Sequence, residues 1–218
     1  MEPALYPVTS YLYPIPVGRS SSLAGVILAA GASSRMGQDK ALLQYDGRSF
    51  LAGAIQLLQN ACDFVIVVAG KNIDLLRPVV YQNSAYLVLN PQPEIGQFSS
   101  LRLGLQAVLD RGRDAGCVTL VDRPPAQSNT LQTLKTHFLL SSPETSWAVV
   151  PQFDGKHGHP VIFAREMIEV FLRANPSSNA RDIEHRHQDR IEYLDVDDPR
   201  VVLNINTPED YSALQAAR

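Results

Sequence analysis

Six short apolar runs, most of them rich in branched residues, recur along the chain with segments of helical period between them. They are Ala24–Ala30, Phe64–Ala69, Tyr86–Leu89, Cys117–Val121, Trp147–Val150 and Val161–Phe163. A strand with one wet face alternates polar and apolar residues. These runs do not, so each must be covered on both faces. Strands of that kind separated by helices form βα units, which predicts an α/β fold: a mostly parallel sheet flanked by helices. Leu51, Ala54, Ile55 and Leu58 repeat at helical spacing behind Ser49, a capping residue. Leu101, Leu105, Val108 and Leu109 do so with Ser99 or Ser100 at the start, as do Leu131, Leu134 and Phe138, and then Met167, Ile168, Phe171 and Leu172. The last helix is announced by Thr207-Pro208-Glu209-Asp210: an N-cap, a proline at the first helical position and an acid three residues after the cap.

A length of 218 residues suits one domain. Residues 23–218 are expected to form it, and residues 1–22, with Pro3, Pro7, Pro14 and Pro16, an irregular lead-in. That lead-in lacks the basic start and unbroken apolar stretch of a signal peptide. No apolar run approaches the roughly 18 residues of a membrane span, so a cytoplasmic location is expected, with Cys62 and Cys117 as buried reduced thiols. The net charge of −3 argues against a nucleic-acid or anionic-membrane partner. An anionic small molecule would have to be held by a local cluster of cations.

Such a cluster follows the first run. Leu28-Ala29-Ala30-Gly31-Ala32-Ser33-Ser34-Arg35-Met36-Gly37-Gln38-Asp39-Lys40 carries a buried strand into a loop of small residues and then presents Arg35 and Lys40. Small residues let successive backbone N–H groups turn toward one anion, and the two cations add charge-assisted bonds. It is not a Walker A loop, because Gly31 and Gly37 are one residue too far apart and Lys40 is followed by Ala41. The dinucleotide pattern Gly-x-Gly-x-x-Gly is absent as well. Asp46-Gly47 sets a turn before the next helical segment, so a helix dipole is not the obvious anchor for the phosphates. Asp122, at the end of the fourth run, stands where open parallel sheets bind ligands. It fits either a metal ligand or the cap of a turn.

The string Leu-Ala-Ala-Gly-x-Ser-x-Arg-Met-Gly-x-x-Lys resembles the opening motif of the nucleotidyltransferases that attach CMP or GMP to molybdopterin, the molybdenum cofactor cytidylyltransferases and their MobA-like NTP transferase relatives. Four further segments resemble that family in order: Gly96-Gln97-Phe98-Ser99-Ser100-Leu101, Val121-Asp122-Arg123-Pro124, Gly158-His159-Pro160 and Asn206-Thr207-Pro208-Glu209-Asp210. The resemblance covers about residues 24–212. It implies a nucleotide-diphospho-sugar transferase (Rossmann-like) fold and a Mg²⁺-dependent transfer of a nucleotidyl group, with pyrophosphate leaving. It implies that Leu28, Ala29, Ala30, Gly31, Ser33, Ser34, Arg35, Gly37 and Lys40 hold the nucleotide, with Arg35, Lys40 and Asp122 catalytic. Asp122 and Asn206 would hold Mg²⁺, Asn206 otherwise serving as a plain helix flank. Ser99 and Ser100 fit either a ribose or base contact or a helix start. His159 fits either a pterin contact or a structural role.

Within the family Ala-Ala-Gly at the end of the first strand goes with CTP, so Ala30 favours transfer of CMP to molybdopterin. The cofactor's expected recipient is a molybdenum hydroxylase. Three departures stand against this. Asn204-Ile205-Asn206 replaces Asp-Ile-Asp, in the manner of the guanylyl branch. Pro176-Ser177-Ser178-Asn179-Ala180-Arg181 has lost the acid and glycines usual there, and Arg123-Pro124-Pro125 stands where Gln-Pro-Leu is commoner. The alternatives are therefore a guanylyltransferase, a transferase with another phosphorylated acceptor, or a non-catalytic nucleotide- or cofactor-binding relative.

Overall fold

The computed structural model describes residues 19, 22–31 and 36–217. In chain order the elements are β1 (Ala24–Ala29), the hairpin β2 (Gln44–Tyr45) and β3 (Arg48–Ser49), α1 (Phe50–Gln59), β4 (Phe64–Ala69), α2 (Ile73–Gln82), β5 (Tyr86–Leu89), α3 (Gln97–Asp110), β6 (Ala115–Leu120), α4 (Ser128–Leu140), β7 (Ala148–Phe153), β8 (Lys156–His157), β9 (Val161–Ala164), α5 (Arg165–Arg173), α6 (Ala180–Arg186), β10 (Ile191–Asp195) and α7 (Pro208–Ala216). The main sheet runs β10-β7-β9-β6-β1-β4-β5, with β8 pairing β7. β1 pairs in parallel with β4 and β6, β4 with β5, and β7 with β10. β9 is antiparallel to both β6 and β7. The expected mostly parallel, two-sided sheet is what forms.

The continuous apolar runs are explained by the two layers. Leu23, Ile27, Val65 and Val67 face α1, α2 and α4, packing with Leu51, Ile55, Leu76, Leu131 and Phe138. Val26, Leu28, Ile66, Val68 and Phe163 face α3, α5 and α6, packing with Leu101, Leu105, Met167, Phe171 and Ile183. A third cluster, Met36, Leu43, Phe50 and Ile205, sits apart from both and is joined by Tyr45, Tyr211 and Leu214. It fastens the exit of the small-residue loop to the segment before α7. Burying side chains of this size contributes about 1.5–3 kcal/mol each.

Four of the six expected strands form within a residue of their expected bounds, and Ser49 caps α1, accepting from the amide of Ala52. Thr207 and Asp210 form the expected capping box of α7. Four points differ. α3 starts at Gln97 behind Gly96, so neither Ser99 nor Ser100 is its cap. α2 was hidden by Pro78 in its interior and by an inward face of only Leu76 and Val80. β10 lies at the sheet edge with its first residue alone buried, so its apolar signal is weak. The run Ile183–Asp189 reads as a solvated segment, and His185, Arg186, Gln188 and Asp189 are exposed, but the run begins inside α6 with Ile183 buried against the second layer. Cys62 and Cys117 are buried and free. No helix among the described residues is long and apolar enough to cross a membrane. The lead-in lies almost wholly outside the described residues.

Candidate active site

The chain leaves β1 through α1 to β4 and β5 on one side, then returns through α3 to β6 on the other side of β1. That reversal opens a crevice at the carboxyl ends of β1 and β6, the position where open α/β sheets bind ligands. Because the strands are parallel, the loops after β1, β4, β5, β6 and β10 all reach this one edge. β9 is antiparallel, so the segment before it, Gly158-His159-Pro160, arrives there too.

The first loop brings Leu28, Ala29, Ala30 and Gly31 to the edge, from buried Leu28 to exposed Gly31. Ala29 offers its carbonyl to Asn72 Nδ2 at 2.9 Å. Ser33, Ser34 and Arg35 lie outside the described residues. Gly37 has φ +67. Asp39 is structural rather than free: it accepts from the amide of Ala41 at 2.9 Å and from Asn72 Nδ2 at 2.6 Å. Lys40, one residue on, donates from Nζ to Asn206 Oδ1 at 2.8 Å. The cation of the first loop and the amide of the last are thus in direct contact, 166 positions apart in sequence.

Asp122 completes that edge. Its carbonyl accepts from the amide of Ile205 at 2.8 Å, which sets Asn206 beside the end of β6. Asn206 is fixed in turn by Asp210, whose carboxylate accepts from the amides of Asn206 (2.8 Å) and Thr207 (2.9 Å). Those bonds hold the Asp210 carboxyl below its usual pKa. Among the described residues Asp122 Oδ1 is buried without a hydrogen bond, and it forms an ion pair with Arg123 Nε at 3.6 Å. A carboxylate oxygen that accepts no hydrogen bond and, at the same sheet edge, a side-chain amide oxygen are donors that suit a hard cation such as Mg²⁺.

Arg123 was not anticipated as a structural clamp. It is buried, and donates from Nη1 to the Val201 carbonyl at 2.8 Å and from Nη2 to Asn204 Oδ1 at 2.6 Å. Burial lowers its pKa, with the charge of Asp122 opposing the shift. The Val201 carbonyl also accepts from the amide of His159 at 2.9 Å. A Cβ on Gly158 would meet that oxygen at 2.4 Å, so the Gly-His-Pro glycine is required by close backbone approach. Three segments separated by long stretches of chain are therefore tied at one carbonyl.

Beside this edge, on the α3–α6 face, lies a cavity of about 480 Å³. Leu28, Phe98, Leu101, Val118, Leu120 and Phe163 give it apolar walls, and His159, Arg181 and Glu184 supply its ionisable groups. His159 Nδ1 approaches the Val118 carbonyl at 3.4 Å. Its pKa is pushed down to about 3, first by burial and then by the charge of Arg123, so the ring is neutral at physiological pH. Burial pushes the Glu184 carboxyl up to about 7, with Arg181 acting in the other direction. Ser99 and Ser100 do not line this cavity. Both are buried, and both hydroxyls accept from Asn90 Nδ2, at 2.8 and 2.9 Å. They hold α3 against the end of β5.

The model of the MobA-like NTP transferase domain matches residues 25–191. The chain belongs to that family. Among its relatives, a probable molybdenum cofactor guanylyltransferase of Rhodopirellula baltica is 30% identical over 197 residues, covering 86% of this chain and 89% of that protein. The molybdenum cofactor cytidylyltransferase of Escherichia coli is 25% identical over 194 residues, covering 88% and 94%. Among solved structures, Rv0371c of Mycobacterium tuberculosis superposes with a TM-score of 0.74 at 25% identity, over 89% of this chain and 98% of that one. In this MobA-like chain the fold is the nucleotide-diphospho-sugar transferase type. The family match runs from β1 into β10 and so leaves out the Asn204–Asn206 segment, which the contacts with Lys40, Asp122 and Arg123 nonetheless bring to the same edge.

Proposed function

We propose that the chain transfers a nucleotidyl group from a nucleoside triphosphate to the phosphate of molybdopterin, releasing pyrophosphate, with CTP as the donor. The observation that carries this reading is the Lys40–Asn206 contact at 2.8 Å, at the same sheet edge as Asp122, whose carbonyl accepts from the amide of Ile205. It gathers a cation and two metal-competent oxygens at the crevice of a nucleotidyltransferase fold. Ala30, half-buried at the end of β1, supports cytidine. The guanylyl reading is favoured by Asn204-Ile205-Asn206 and by the name of the Rhodopirellula relative.

In this reaction an oxygen of the acceptor phosphate forms a bond to the α-phosphorus, and the bond from that phosphorus to the β-phosphate oxygen breaks. The electron pair leaves with pyrophosphate. A phosphate monoester is largely ionised near neutral pH, so no general base is required. The demand on the protein is alignment and neutralisation of charge. Backbone amides from Ala30 onward would face the triphosphate, and Lys40 and Arg35 would carry its negative charge. Asp122 and Asn206 would hold Mg²⁺, which when bound draws charge from the phosphate oxygens. Arg123 keeps the Asn204–Asn206 segment against β6, with its guanidinium 3.6 Å from the Asp122 carboxylate. A molybdenum hydroxylase is the proposed recipient of the finished cofactor.

Thermal unfolding with Mg²⁺ and CTP, GTP, ATP or UTP in turn tests the donor. A ligand at 100 times its Kd adds about 2.7 kcal/mol, a shift of several degrees for a domain of this size. A CTP-selective shift, with pyrophosphate release on addition of molybdopterin, is expected. A GTP-selective shift moves the chain to the guanylyl reading, and no shift with any nucleotide rejects the donor site altogether. Asn206→Asp should alter the Mg²⁺ dependence of the shift; an identical Mg²⁺ titration would return Asn206 to the role of helix flank.

A further inference from the structure

We propose that Glu184 is a specificity residue, its carboxylate accepting the N–H donors of a 2-amino-4-oxopyrimidine ring seated in the cavity between α3 and α6. The proposal rests on the nucleotidyltransferase reading only for the source of that ring, which is the pterin of the acceptor.

Glu184 is half-buried, and among the described residues no hydrogen bond or ion pair meets its carboxylate. Arg181, one turn earlier on α6, acts on it only through the field. A carboxylate partly withdrawn from water without hydrogen-bonded partners opposes folding, so stability gives no reason for an acid here. Its surroundings do. The cavity it lines has walls from five different elements, and two of the rings are rigidly backed: Phe98 and Phe163 each pack edge-on to Phe171, with centroids 5.7 and 5.1 Å apart. Flat apolar walls with a few polar groups are the build of a site for a planar heterocycle.

The polar groups define its edge. His159 Nδ1 faces a carbonyl, which can only accept, so Nδ1 carries the proton and Nε2 of the neutral ring is an acceptor. Glu184 adds a second acceptor to the same cavity. A phosphate would be repelled by this carboxylate. A full cation would meet the charge of Arg181 at the lining and that of Arg123 behind His159. A neutral edge with two adjacent N–H donors fits, and a 2-amino-4-oxopyrimidine presents one, pairing its amino and ring N–H groups with both oxygens of a carboxylate. The stretch 176–181 has no acid of its own, and Glu184 supplies one to the same cavity that Ser178, Asn179, Ala180 and Arg181 line.

Guanine carries the same edge, so the test uses two pairs of probes that differ only at the 2-amino group: 6-hydroxymethylpterin against 6-hydroxymethyllumazine, and GTP against ITP. Binding is measured by calorimetry on the full chain and on Glu184→Gln, with the Mg²⁺–NTP melting shift as a separate check. Hydrogen bonds to a charged group are worth about 1.5–3 kcal/mol, so wild type should prefer the pterin over the lumazine by at least tenfold. Glu184→Gln should lose that preference while its NTP shift stays. A preference for GTP over ITP that vanishes in the variant, with pterin and lumazine bound alike, keeps Glu184 in its role but assigns the ring to the donor, overturning the pterin source. Equal wild-type affinities within both pairs overturn the proposal without recourse to any variant, as do preferences that survive Glu184→Gln. Loss of the NTP shift in wild type with the pterin preference intact would strike the donor reading and leave this one standing.

Discussion

The two halves of the cleft are built on opposite terms. At the crevice between β1 and β6, Lys40, Asp122, Arg123, Asn204 and Asn206 are joined by short hydrogen bonds between segments far apart in sequence. In the adjoining cavity the walls are mostly apolar, and among the described residues no hydrogen bond meets the Glu184 carboxylate. The first arrangement fixes geometry, as charge-assisted chemistry requires. The second holds an unmet hydrogen-bonding demand, which is how a site discriminates between ligands that differ by one polar group. One side of the cleft is organised by its own polar contacts, and the other by apolar walls.

The largest expected break in this contrast is Asp122→Ala, which should lower turnover by about a thousandfold, or ~4 kcal/mol of transition-state stabilisation, while nucleotide affinity changes far less. Steady-state kinetics beside melting shifts would reveal it, and turnover within tenfold of wild type would remove Asp122 from the reaction. Next is Gly158→Ala. Its methyl group would press on the Val201 carbonyl that Arg123 and His159 share, and overpacking of this kind costs about 1–3 kcal/mol. Denaturant unfolding at unchanged slope is the measurement.

Glu184→Gln should move stability the other way, by about 1–2 kcal/mol at pH 8, because a group whose pKa is raised from 4.5 to about 7 is buried at a cost once ionised. The sign follows from linkage. Between pH 4.5 and about 7 the folded chain binds more protons at Glu184 than the unfolded one, so wild-type stability falls across that window. The gain from Gln should therefore vanish near pH 4.5; a gain independent of pH would mean that the carboxyl is not the cause. The smallest effect is that of Ser99→Ala, about 1 kcal/mol of stability with the NTP shift intact, since its hydroxyl serves Asn90. A lost NTP shift would instead make Ser99 a ligand contact.

Much of this was legible in the chain itself. Continuous apolar runs determined a two-sided parallel sheet, because only strands covered on both faces tolerate them. Local chemistry determined the caps at Ser49 and Thr207, since a side-chain oxygen and the amides it satisfies lie within one turn. The string around Gly31 and Lys40 marked the loop and its family. The tertiary structure alone decided which groups meet. That Lys40 faces Asn206, that Arg123 reaches Val201 and Asn204, and that Gly158 must be glycine depend on three loops converging at one sheet edge, and sequence spacing carries no record of that convergence. Glu184 is the plainest case. It stands among charged residues that read as a solvated run, and its partial burial is set by what α6 packs against, a property of the partner surface and not of the helix's own residues.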